Sequence, residues 1–126
     1  MPNLYSMRGW IEYVEDGINI KGDILKEYSN SGEEKSRFYV RGWQFNNYDF
    51  NNLSYIFYGL QTKREGVEIF LRVIRNLAHA YTGIKGEFSI ADEYEDEELM
   101  ISINEGKIRF RNSPSNNLQA FLPALE

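Results

Sequence analysis

The 126-residue chain has no cysteine, a single histidine, and no apolar run near the roughly 20 residues needed to span a bilayer. Without cysteine there are no disulfides and no thiolate metal sites, and a reducing compartment is the simple expectation. One histidine cannot build a histidine-rich metal centre. The opening MPNLYSMRGW has no basic segment leading into an apolar stretch, so it does not read as a secretory signal. Also missing are a glycine-rich phosphate loop and a nucleophile elbow. Basic charge is in deficit, with a net charge of −5. A chain that bound nucleic acid directly would gather Lys and Arg into a patch that neutralises phosphates. The expectation is a soluble cytoplasmic protein, one domain over residues 1–126, with no direct nucleic-acid or membrane contact.

What is present is a core-forming composition, 42% hydrophobic and 15% aromatic, which argues against disorder. The negative charge is concentrated. ADEYEDEEL at 91–99 places six carboxylates, Asp92, Glu93, Glu95, Asp96, Glu97 and Glu98, in seven positions, with Tyr94 between them. Removing those six from the 19 acids leaves 13 against 14 Lys and Arg, so the rest of the chain is nearly neutral. A basic partner therefore fits better than an acidic one.

Hydrophobic periodicity orders the elements. LYSMRGWIEYV at 4–14 reads as a strand that ends at EDG. Residues 18–29 fit both a strand, through Ile18, Ile20 and Ile24, and a helix face; Gly22 argues against the helix, yet a short helix is preferred. SRFYVRGWQF at 36–45 is strand-like, NNYDFNN at 46–52 has turn chemistry, and LSYIFYGLQT at 53–62 reads as a largely buried return strand. REGVEIFLRVIRNLAHAY at 64–81 is an amphipathic helix. Val67, Phe70, Leu71, Val73, Ile74, Leu77, Ala78 and Tyr81 form one stripe, and Glu65, Glu68, Arg72, Arg75, Asn76 and His79 the other. GEFSIADEY begins a strand at Gly86. LMISINEGKIRFRN at 99–112 is a hairpin turning at NEGK, and SPSNNLQAFLPALE is a tail that packs Phe121 and Leu122. The order β, α, β, β, α, β, β, β implies an α+β fold: a single antiparallel sheet of about six strands with one long and one short helix packed on it.

No catalytic set emerges. His79 lies on the polar stripe beside Arg72 and Arg75 and reads as a surface histidine more readily than as a general base. Calcium favours clustered carboxylates, but its loops need a glycine for the sharp turn, and DEYEDEE has none. Paired carboxylates can hydrolyse glycosides only where burial or a fixed separation splits their pKa values, and an exposed run supplies neither. No catalytic residue, metal or cofactor is expected, although a metal-dependent carboxylate enzyme stays open beside a regulatory or other protein-interaction domain. Two readings carry more weight. The acids form either a solvated loop that discourages sheet-edge aggregation or an electrostatic contact surface for a basic protein. Tyr39, Trp43, Tyr48, Phe50 and Tyr94 are candidate anchors because interface hot spots favour aromatics, with Tyr39 and Trp43 more naturally core.

Several short motifs, in order, resemble the immunity protein 7 family of bacterial polymorphic toxin and contact-dependent inhibition systems. Gly9 and Trp10 in MRGWIEY resemble its N-terminal Gly-Trp and strand. YIFYGLQTKREGVEIFLRVIRNLAHAY resembles its aromatic strand, basic turn and long helix. GEFSIADEYED resembles its glycine, apolar strand and acids, with Asp92, Glu93 and Glu95 at acidic positions, and NEGKIRF and the terminal FLP resemble its last strand turn and tail. The resemblance implies a small cytoplasmic α+β protein, without catalysis, that neutralises the C-terminal toxin domain encoded beside it. It also favours a helix near 18–29. A basic nuclease suits an acidic inhibitor, with Asp92, Glu93, Tyr94, Glu95, Asp96, Glu97 and Glu98 as the expected contact residues.

Overall fold

The computed structural model describes residues 4–14, 19–30, 32, 37–45, 53–94, 97–111, 116–119 and 121. Six strands form one antiparallel sheet: β1 (Tyr5–Val14), β2 (Trp43–Gln44), β3 (Leu53–Thr62), β4 (Lys85–Asp92), β5 (Glu97–Asn104) and β6 (Lys107–Phe110). Their spatial order is β2-β3-β1-β4-β5-β6, so the N-terminal strand sits in the middle, paired with β3 on one side and β4 on the other. Helices α1 (Ile20–Ser29), α2 (Arg64–Ala80) and the single turn α3 (Asn116–Gln119) complete an α+β fold. Among the described residues no helix is long and apolar enough to cross a membrane.

Helix α2 forms where its stripe of apolar residues predicts. Val67, Phe70, Leu71, Ile74 and Ala78 are all fully buried against the inner sheet face, while the exposed Arg64 and half-exposed Glu68 pair at 2.9 Å one turn apart. Phe70 is the centre of the core. Its ring stacks on Tyr58 at 4.7 Å and meets Phe88 edge-on at 5.0 Å. Each such aromatic pair adds about 1 kcal/mol beyond its buried area.

The ambiguous segment is the helix α1, capped by Asn19, whose Oδ1 accepts from the Gly22 amide at 3.1 Å. That cap also explains the glycine that argued against a helix: a Cβ at Gly22 would lie 2.5 Å from the Asn19 side chain. The N-cap bond offsets the helix penalty of the glycine, both being about 1 kcal/mol. Helix α1 buries Ile20, Ile24 and Tyr28 and is tied to α2 by Asn76 Nδ2 donating to Glu27 Oε2 at 2.9 Å.

The strand expected over 36–45 is not formed at 37–42, and residue 36 lies outside the described residues. Residues 37–39 are helical, Val40–Gly42 form a 3-10 turn, and only Trp43 and Gln44 join the sheet, opposite Tyr58 and Phe57. Tertiary contacts override β propensity here. The coiled backbone brings Tyr39 and Trp43, four residues apart, into the core together. Trp43 Nε1 donates to the Tyr28 hydroxyl at 3.0 Å, and Tyr58 donates to the Tyr39 carbonyl at 3.3 Å. Tyr39 and Trp43 are therefore core residues, not interface anchors. Burial pushes the Tyr28 phenol up to about 12 and drives Tyr58 up as well.

The hairpin of β5 and β6 turns at Glu105 and Gly106, whose φ values of 53° and 74° place both in the left-handed region. That is the signature of the two-residue turn matching strand twist. The tail is partly helical. Leu118 is buried, and Phe121 meets the Tyr5 ring edge-on at 5.1 Å beneath the Arg64 guanidinium. The expected turn at 46–52, the anchors Tyr48 and Phe50 within it, and Leu122 lie outside the described residues.

Candidate docking surface

The acidic run is the connection between β4 and β5, and the sheet divides its members. Strand alternation points Gly86, Phe88, Ile90 and Asp92 inward. Asp92 is accordingly only 2% exposed. Its Oδ1 accepts from the Tyr94 amide at 2.9 Å, the local bond by which an aspartate stabilises a turn two residues on. Asp92 therefore leaves the set of expected contact residues: it builds the turn rather than facing a partner. Glu97, its register partner, is half-buried on the same face, with one carboxylate oxygen out of reach of water and of any hydrogen-bond donor among the described residues.

Glu93, Tyr94 and Glu98 are exposed, Tyr94 at 54%. The Glu93 amide donates to the Leu4 carbonyl at 3.0 Å, and its carboxylate accepts from the Ser6 hydroxyl. Glu98 accepts from the Ser89 hydroxyl on the neighbouring strand. A hydroxyl fixes a carboxylate without cancelling its charge. Glu95 and Asp96 lie outside the described residues. Among the described residues of this segment Tyr94 is exposed, and the Glu93 and Glu98 carboxylates are oriented by hydroxyls. Among the described residues no group of three His, Asp or Glu is gathered as metal ligands, and His79 is an exposed residue in the last turn of α2.

A second surface was not foreseen. The helices cover one sheet face, leaving the other with a shallow hollow of about 440 Å³, lined in part by Arg8, Trp10, Phe57, Glu87 and Met100. Strand β3 is buried only at alternate positions, and Phe57 on the uncovered side is 38% exposed. The Gly-Trp pair of β1 also divides between faces. Gly9 faces inward, where a Cβ would lie 2.3 Å from the Phe88 ring, so close packing demands glycine. Trp10 faces out beside Tyr55, with ring centroids 6.4 Å apart. Tyr55 donates to Glu12 at 2.7 Å, and that bond raises its pKa. Arg111 and Glu87 pair at 2.6 Å on the same face. The alternation within LYSMRGWIEYV and LSYIFYGLQT holds the signal for this face, but only strand register shows that Trp10 and Phe57 are neighbours.

No family model, no curated protein and no solved structure matches the chain.

Proposed function

We propose that this protein is an inhibitor of the immunity type that binds a basic toxin domain, of nuclease-like charge, and covers its active or substrate-binding site without catalysis of its own. The supporting observation is the concentration of the chain's excess negative charge at one end of the sheet, where Glu93 and Glu98 are held by hydroxyls beside the exposed Tyr94. Oriented carboxylates steer encounter with a positive cleft and stand where phosphates would lie. Tyr94 supplies the large, stiff side chain that anchors interfaces. The motif resemblance to immunity protein 7 agrees in chemistry and supports a toxin encoded next to this chain as the partner.

The test is to mix the protein with that neighbouring toxin domain and measure association kinetics. Complex formation is expected, with Glu93→Lys and Glu98→Lys together slowing association about tenfold at low salt and less at high salt, where screening dominates. Absence of a complex at micromolar concentration refutes the function. A complex whose on-rate ignores both substitutions refutes the docking site.

A further inference from the structure

On the sheet face opposite the described helices, two neighbouring rows of side chains complement one another in size. The register places two neighbouring rows across β3, β1, β4 and β5 on this face: Phe57, Trp10, Glu87 and Ser102 in one, Gly59, Arg8, Ser89 and Met100 in the next. A two-fold axis parallel to the sheet and just above this face, running across the strands and midway between these rows, exchanges them. It sets Phe57 of one copy over Gly59 of the other and Trp10 over Arg8. On the outer strands it sets Glu87 over Ser89 and Met100 over Ser102. On β3 bulk meets space and on β1 an aromatic ring meets a guanidinium, as an isologous interface requires.

Gly59 is the open position on this face. It sits mid-strand, where glycine weakens a sheet and commonly marks close approach by another group. Nothing among the described residues explains it: a Cβ there would meet no atom within 4 Å, and its φ is not positive. Arg8, across from it on β1, is exposed and makes no hydrogen bond or ion pair among the described residues. A partner's Trp10 ring would give that guanidinium a cation–π contact.

Charge follows the same axis. The row beyond Arg8 ends in Glu98, opposite Ala91, and the row beyond Trp10 carries Lys85, opposite Glu12. Reversing the strands brings Glu98 of one copy towards Lys85 and Lys107 of the other, because Lys107 pairs with Asn104 at that end of β5. With strands about 4.8 Å apart and about 3.3 Å of rise per residue, β3, β1, β4 and β5 offer roughly 570 Å² per copy, above the roughly 500 Å² per partner that a specific interface needs.

We infer that this face binds a second copy of the chain, forming a two-fold dimer in which the sheets pack face to face with their strands reversed. The inference does not rest on the toxin reading, although Glu98 serves in both. Glu93 and Tyr94 lie past the last row, at the end of the sheet.

The test is sedimentation velocity on the full chain from micromolar to near-millimolar concentration. The mass is expected to rise from 14.8 kDa towards twice that value. Gly59→Phe fills the gap that receives the partner's Phe57, so it should stay monomeric or associate at least tenfold more weakly, while still melting cooperatively. The double variant Phe57→Gly with Gly59→Phe exchanges bulk and gap, which restores the match and should recover the dimer. A wild-type chain that stays monomeric overturns the inference, as does a Gly59→Phe chain that dimerises normally or a double variant that does not recover. If Gly59→Phe fails to fold, Arg8→Glu decides: it sets a carboxylate over the partner's Trp10 ring, and normal dimerisation overturns the inference.

Discussion

Tyr28→Phe removes one oxygen from the buried joint between α1, β2 and the sheet, and its consequences differ with pH. At neutral pH the Trp43 indole N–H loses its 3.0 Å acceptor in a site where Tyr28 is fully buried and Trp43 only 5% exposed. An orphaned buried donor costs about 1–3 kcal/mol. For a chain of this size each kcal/mol lowers the melting temperature by about 4 °C. Alkaline pH narrows the difference. The Tyr28 phenol titrates at about 12 in the fold against 10.0 when solvated. It stays protonated in the folded state while the unfolded state ionises, so stability is lost as pH rises from 10 to 12. Linkage gives a loss of about 1.4 kcal/mol at pH 11, approaching about 3 kcal/mol above pH 12. Phenylalanine has no such proton. Urea unfolding followed by tryptophan fluorescence at pH 7 and pH 11 should show Tyr28→Phe the less stable at pH 7, with the gap narrowing by about 1.4 kcal/mol at pH 11. Parallel losses in both proteins would refute the buried-phenol account.

Three further substitutions test separate parts of the structure. Glu105→Asn should raise stability by about 0.5 kcal/mol in thermal melts, since Asn-Gly suits a turn whose first residue has φ of 53°. Gly66→Ala should destabilise by about 1–3 kcal/mol, because a Cβ there would lie 2.2 Å from Thr62 Oγ1 and 2.6 Å from the Tyr39 ring; a neutral result in urea unfolding would contradict that packing. Phe70→Ala should cost about 3–5 kcal/mol and flatten near-ultraviolet circular dichroism, since its ring contacts Tyr58, Phe88 and Trp43.

Elements whose stability is written in local pattern were legible in the sequence. The amphipathic stripe of 64–81 matches α2 to within one residue, because a 3.6-residue period suits only one backbone and one buried side. The hairpin at NEGK and the strand at 53–62 were equally plain. Residues 36–45 were misread for the same physical reason that strand propensity is weak. Aromatic and β-branched residues favour whichever backbone buries them, and here a helical turn delivers Tyr39 and Trp43 to Tyr58 and Tyr28. The location of the excess charge was also evident, but a run of acids in a sequence does not state which of them face water.

The sequence by itself determined the α+β class, the long helix, the short connection after Asn104 and the single site of excess negative charge, all of which follow from periodicity, turn chemistry and counting. Only the tertiary structure decided which carboxylates are exposed. Strand alternation turns Asp92 into the core side and leaves Glu93, Tyr94 and Glu98 outside. It also decided that Trp10 and Phe57, 47 positions apart, share a row beside Arg8 and Gly59. Pairing between distant strands sets that register, and no local pattern encodes which strands become neighbours.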